Sequence, residues 1–324
     1  MAADDITERL GSLFERINQQ LMTNLDSDIS YISEVCRYTL LGGGKRLRPA
    51  LFILASRLCG YKGDQDLRYS IVFEYLHAAS LLHDDVVDEA ETRRGQAAAH
   101  VLYGNQSVIL VGDFLVSKAI SLAVETGLIR IIEILSETAS RLTEGQILEL
   151  LHARDLDLNE SEYNRIISRK TGALIESSLK SAAVFTGAPR EYEDGLSEFG
   201  RKIGRAFQMV DDLLDYSTTA AELGKPVGHD LDEGKITLPV ILALSHATGP
   251  DLDKLRELVL QEKRSPEEFE QVKTLIDKYH GFEQTRERAR GLVDEAKQSL
   301  AIFPDIQEKK DLFDLADFIV SRRK

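Results

Sequence analysis

Two short acidic stretches hold the residues most able to do chemistry: HDDVVDEAETRRG, beginning at His83, and FQMVDDLLDY, beginning at Phe207. Each has two adjacent aspartates, two apolar residues and a third aspartate: Asp84, Asp85 and Asp88 in the first, Asp211, Asp212 and Asp215 in the second. On a helix, Asp84 and Asp88 share one face about 6 Å apart along the axis, and so do Asp211 and Asp215. Like charges at that spacing repel, and burial raises the cost. A divalent cation relieves it. Mg²⁺ suits such a pair because it takes few protein oxygens and completes its shell with water and substrate phosphates. One such motif alone reads equally well as a solvated acidic face; two in one chain favour paired metal sites. Gln208 continues the second stripe, and the intervening Val86, Val87, Leu213 and Leu214 are apolar. That pattern predicts helices half embedded in a core, with both acidic faces turned into an interior cavity.

The pair His83-Asp84, with His77 nearby, also matches the histidine–aspartate pair of a metal-dependent phosphohydrolase. That chemistry needs further histidine ligands, and His100, His152, His229, His246 and His280 stand at no recognisable ligand spacing.

Basic residues gather beside glycines in GGGKRLRP (42–49), RRG (93–95), RKTG (169–172) and GKPVGHDLDEGKITLP (224–239). Glycine lets backbone approach a ligand closely, and the arginine fork matches phosphate oxygens. Any one cluster is more simply a solvated helix terminus. GGGKRLRP lacks the spacing of a nucleotide-binding P-loop and follows no strand. Taken together, two carboxylate pairs and four cationic clusters imply a ligand rich in negative charge, and two diphosphates fit.

The elements that must position these groups read as helices. No proline occurs between Pro49 and Pro189, and Leu, Ala, Ile and Glu abound. Asn159 with Glu162, and Ser265-Pro266-Glu267-Glu268, are helix-start signatures. Glycines 60, 95, 127, 187 and 224 punctuate the pattern, giving roughly ten or more helices of ordinary length. The expected fold is all-α, a single domain over residues 1–324, with 250–324 as a peripheral helical layer. The apolar segment 107–124 is interrupted by Asp113 and Lys118 and reads as a buried core helix, not a membrane span.

The 324 residues are 43% hydrophobic and 29% charged, an ordinary globular composition. A formal charge of −14 argues against nucleic acid as a partner. Two cysteines without metal-ligand spacing, and an acidic N-terminus without an apolar run, predict a cytoplasmic protein.

In this order the motifs GGGKRLRP, LLHDDVVDEAETRRG, RKTGALIESS, FQMVDDLLDY and GKPVGHDLDEGKITLP resemble those of the trans-isoprenyl diphosphate synthases, in particular the polyprenyl, octaprenyl-type, members. The resemblance implies a barrel-like all-α bundle around a deep central cavity, usually a homodimer. It also implies a head-to-tail condensation of isopentenyl diphosphate onto an allylic diphosphate. By motif position, Asp84, Asp88 and Asp211 would hold Mg²⁺, three ions per site, with Asp85, Asp212 and Asp215 in support. Arg93, Lys170 and Lys225 would contact the allylic diphosphate, and Lys45, Arg48, His77 and Arg94 the isopentenyl diphosphate. Thr171 and Gln208 would present oxygen dipoles to a carbocation, with Lys235 contributing charge.

Family members with large aromatics four and five residues before the first motif make short products. Here those positions are Ser80 and Ala79, which implies a longer product, roughly C30 to C50, octaprenyl being the best single value. Helical spacing places Ser80 below Asp84 and Ala79 off that stripe; Phe73, three turns and about 16 Å down, is a candidate floor. The alternatives are a shorter-chain farnesyl or geranylgeranyl synthase, a class I terpene cyclase, which lacks a second DDxxD, and a non-catalytic synthase subunit, which typically loses an acidic motif.

Overall fold

The helix-start signatures act as expected. Asn159 Oδ1 accepts the backbone N–H groups of Ser161 and Glu162, and Ser265 and Glu268 form a reciprocal capping box behind Pro266. The computed structural model describes residues 6, 8–25, 27–217 and 228–322. Its first helices are α1 (Gly11–Thr23), α2 (Ser30–Leu41), α3 (Leu47–Leu58) and α4 (Gln65–Val87). After a two-residue hairpin come α5 (Ala99–Tyr103), α6 (Asn105–Glu125), α7 (Ile129–Leu151) and α8 (Glu160–Ile167). A single π turn (Ser168–Gly172) joins α8 to α9 (Ala173–Phe185), and α10 (Arg190–Ser217) follows. The remainder is α11 (His229–Asp232), α12 (Leu238–His246), α13 (Gly249–Leu260), α14 (Pro266–Lys278), α15 (Gly281–Ser299) and α16 (Gln307–Ser321).

The hairpin was not anticipated. Thr92 and Arg93 pair with Ala97 and Gln96, and Arg94 (φ 53°) and Gly95 (φ 76°) both take positive φ, the backbone of a two-residue primed turn. Gly60, Gly127 and Gly187 also turn the chain at positive φ, and Gly224 lies outside the described residues.

Helix α4 is buried nearly all round, through Ile71, Val72, Phe73, Tyr75, Leu76, Ala78, Ala79 and Leu82. It packs between α3 and α6, while α10 packs along α9 and α15. The last helix reaches back to α3 and α10, so the C-terminal region does more than form an outer layer.

Helix α6 departs from its sequence reading. One stripe (Val108, Val111, Leu115, Ala119, Leu122) is buried, but Ile109, Leu110, Ile120 and Val124 face outward. It is also the one described helix long and apolar enough to cross a membrane. Helix α7 also exposes apolar side chains, Ile129, Ile147, Leu150 and Leu151.

Candidate active site

Both acidic motifs lie at the C-terminal ends of their helices, where the helix dipole is already negative. These two ends, with α7, α8 and the π turn, enclose a cavity of about 250 Å³. Asp84, Asp88, Asp211 and Asp212 line it, facing Arg93, Lys170 and Lys235. Burial, reinforced by Asp88 and Glu149, raises the Asp84 carboxyl to about 6, against the pull of Lys170 and Arg93. Burial also raises Asp88. Lys235 stands 3.8 Å from Asp88 and 3.9 Å from Glu149 and pairs with Glu233. Burial opposes its charge, but Glu149, Asp230, Glu233 and Asp88 together hold its pKa above the ordinary amine value.

The two motifs do not present the same positions. The first offers Asp84 and Asp88, while Asp85 turns sideways, is buried and clasps the Arg93 guanidinium. The second offers Asp211 and Asp212. Asp215 lies on the expected stripe but one turn further on, where α11 covers it and the Asp230 N–H donates to its carboxylate at 3.1 Å. Asp212 takes the forward place: the Tyr163 hydroxyl donates to it at 2.5 Å and the Gln208 amide at 2.8 Å. Thr171 in turn donates to Gln208 Oε1 at 2.7 Å. Burial first, then Asp230, raises the Asp212 carboxyl. Four polar side chains thus form one chain across the cavity wall.

A second cavity of about 360 Å³ adjoins the first, lined by Lys45, Arg48, His77 and Arg94 with Phe14, Leu315 and Phe318. Arg48, His77 and Phe207 line both cavities. Burial, with Arg48 and Arg94 close by, pushes the His77 pKa well down and so favours the neutral imidazole. The loop carrying Lys45, and its passage into the first turn of α3 where Arg48 sits, is fixed from within by Arg46, which takes a left-handed conformation (φ 47°). Its buried guanidinium binds Glu74 at 2.9 Å, Asn18 at 2.7 Å and the Leu40 carbonyl. Arg322, just beyond α16, stacks 4.0 Å above the Phe207 ring and reaches Asp211 at 3.1 Å.

Ser80 lines the first cavity; Ala79 is buried and does not. Phe73 is buried further down α4 against Phe52, 5.4 Å between centroids, in an aromatic cluster that continues through Phe185 to Tyr61 and Tyr69. Lys225 lies outside the described residues.

The donor set fits Mg²⁺. Among the described residues no three acidic or imidazole groups converge into a closed metal cluster. Mg²⁺ bound through one or two carboxylates, with phosphate and water completing its shell, needs none. The four forward carboxylates are oxygen donors at negative helix ends, and burial, which raises Asp84 and Asp88, disfavours their charged forms until a cation joins them.

Residues 29–276 match the polyprenyl synthetase family model. The chain belongs to the polyprenyl synthetase family. This synthetase is 36% identical over 322 residues to the octaprenyl diphosphate synthase of Escherichia coli, covering 99% of both chains. It is 35% identical over 324 residues to the geranylgeranyl diphosphate synthase of Methanosarcina mazei, covering 98% of this chain and 97% of that one. A crystal structure of a polyprenyl synthase from Caulobacter crescentus, complexed with calcium and isoprenyl diphosphate, superposes with a TM-score of 0.93 at 35% identity, covering 99% of this chain and 98% of that one. The expected all-α fold around a deep cavity is thereby established.

Sequence reasoning missed Glu149, Tyr163, Asp230 and Glu233, which lie in the cavity or bind its cations. Asp230 and Glu233 sat inside a quoted motif and were read only for its lysines. Glu149 and Tyr163 belong to no motif, and only the packing of α7 and α8 brings them to the site.

Proposed function

We propose that this synthetase is a Mg²⁺-dependent trans-prenyltransferase. It condenses isopentenyl diphosphate head-to-tail onto an allylic diphosphate of the farnesyl or geranyl type and repeats the step to a product of roughly C30 to C50. The observation that carries the reading is the pair of adjoining anion cavities sharing Arg48 and His77. One holds carboxylates and cations together; the other is cationic, its one acid, Glu74, being paired with Arg46.

Asp84, Asp88, Asp211 and Asp212 would hold the metal, with Asp85 and Asp215 acting behind them through Arg93 and Asp230. Bound there, Mg²⁺ would neutralise negative charge on the diphosphate as it leaves. Arg93, Lys170 and Lys235, with Lys225, bind the same leaving group, and pre-placed cations stabilise it more in the transition state than in the ground state. The allylic C–O bond breaks with its electron pair going to diphosphate. Thr171 and Gln208, fixed by their hydrogen bond, turn oxygen dipoles toward the carbocation. Lys45, Arg48 and Arg94 hold isopentenyl diphosphate next door, its double bond attacks the cation, and the departing diphosphate takes the proton. The E. coli and C. crescentus relatives support this reading, and the M. mazei relative keeps a shorter product as the alternative.

Labelled isopentenyl diphosphate, farnesyl diphosphate and Mg²⁺ together should give a labelled lipophilic product, and omission of Mg²⁺ should abolish it. A cyclic product without label would mean a terpene cyclase, and no turnover a non-catalytic subunit. The exposed apolar face of α6 and α7 supports a homodimer, for which light scattering should give twice the chain mass. A monomer at micromolar concentration would contradict it.

A further inference from the structure

Lys170 and Thr171 sit on the π turn, and two glycines on neighbouring helices press against that turn's backbone. A Cβ on Gly145 of α7 would lie 2.8 Å from the Lys170 Cα and 2.9 Å from the Arg169 Cβ. From the opposite side, a Cβ on Gly204 of α10 would lie 2.7 Å from the Gly172 Cα and 3.2 Å from its carbonyl oxygen. Real Cβ atoms do not approach backbone this closely, so α7, the π turn and α10 meet with no side chain between them. Neither glycine needs an unusual conformation: both lie inside regular helix, where alanine is ordinarily the better residue. Closeness of approach is therefore what each glycine supplies.

Helices α7 and α10 carry the partners that the turn must meet. Glu149, one turn beyond Gly145, pairs with Lys170, and Gln208, one turn beyond Gly204, accepts the Thr171 hydroxyl at 2.7 Å. A π turn is an insertion in helical register that functional sites often use. Here it swings two consecutive side chains toward the cavity, and the flanking contacts fix how far.

We infer that Gly145 and Gly204 are positioning residues: they clamp the π turn so that the Lys170 ammonium and Thr171 hydroxyl meet the allylic diphosphate and its reacting carbon. The inference rests on the proposed function for what the two groups do, but not for the clamp itself. A displacement near 1 Å at a reacting centre costs about 100-fold in rate. The cations of the isopentenyl side, Lys45, Arg48 and Arg94, lie on other elements, so the defect should be one-sided.

The test uses the full chain with Gly145→Ala, Gly204→Ala and, as a control, Gly291→Ala, whose new methyl meets nothing within 4 Å. Each variant is checked by circular dichroism and thermal melting. Calorimetry then measures binding of inorganic diphosphate with Mg²⁺, and kinetics measures KM separately for the two substrates. The clamp predicts at least tenfold weaker diphosphate binding and about 100-fold lower kcat in both site variants. It also predicts an isopentenyl diphosphate KM within twofold of wild type, and a silent control. Folded variants with wild-type diphosphate binding and kcat would overturn it. So would a fall in kcat that tracks lost folded fraction with both KM values unchanged. If Gly145→Ala fails to fold, Gly204→Ala decides alone, and failure of both to fold would assign the glycines to folding and overturn the positioning role. A wild-type chain that binds diphosphate but never elongates would sink the functional reading, and the clamp would then stand or fall on diphosphate binding.

Discussion

Asp84→Ala and Asp211→Ala each lower kcat by about 10⁴-fold, equivalent to roughly 5.5 kcal/mol of transition-state stabilisation. The magnitude follows from what each carboxylate faces. Both stand at the negative end of a helix, lining a cavity in which Lys170, Lys235 and Arg93 are already paired with Glu149, Glu233 and Asp85. Those cations are too engaged to neutralise a departing diphosphate without Mg²⁺. Steady-state rates at saturating Mg²⁺ read the effect, and near-normal turnover would remove the metal role. The same aspartate makes an opposite prediction for stability. Its carboxyl titrates at about 6 in the folded chain against an ordinary 3.8, so the folded state holds the proton more tightly than the unfolded state. Stability therefore falls as pH rises from about 4 to about 6, at a cost on the order of 2–3 kcal/mol above that window. Metal-free Asp84→Asn should be more stable than wild type at pH 7.5 by about 2 kcal/mol, the gain vanishing near pH 4. Denaturant titration at the two pH values measures it, and an equal gain at both would refute the electrostatic cause.

Ser80→Phe shortens the product. Ser80 is one turn, about 6 Å, below Asp84 on the cavity face of α4, and its hydroxyl is turned back onto the His77 carbonyl at 2.9 Å. A growing chain headed at the metal end must pass this side chain, and a phenyl ring there blocks it after the first additions. The expected shift is from roughly C30–C50 to roughly C15–C20, since the ring narrows the passage one helical turn below the metal end. The first condensation should remain within a few-fold. Chromatography of the dephosphorylated polyprenols reads it directly, and an unchanged length would defeat the tunnel. Ala79→Phe is the contrast: Ala79 is buried in the core, so the ring overpacks α4 and costs about 1–3 kcal/mol of stability.

The sequence exposed the chemistry more completely than the geometry. Helical period alone put Asp84 and Asp88 on one face, and the structure agrees. The same rule favoured Asp215 over Asp212 and failed, because period gives a direction around the axis but not which turn a neighbour covers. Here α11 covers the Asp215 turn and leaves Asp212 open. Arg93 and Arg94 were legible as cations, and their division between two cavities came from family resemblance. The mechanism of that division is the hairpin, whose strands are too short to show period-two alternation. Glu149 and Tyr163 were not legible, since they reach the site only through the packing of α7 and α8. The π turn was not legible either: Ser168–Gly172 carries no signature of its register, and what admits it are Gly145 and Gly204, glycines that single-helix reasoning scores only as weak helix formers.

The central claim is a condensation between two diphosphates held in adjoining cavities, and the most direct measurement is the stoichiometry of diphosphate release against incorporation of labelled isopentenyl units. With both substrates and Mg²⁺, one diphosphate should be released for each isoprene unit incorporated, and neither substrate alone should release any at a comparable rate. Diphosphate released from the allylic substrate alone at the full rate, with no label incorporated, would contradict the account.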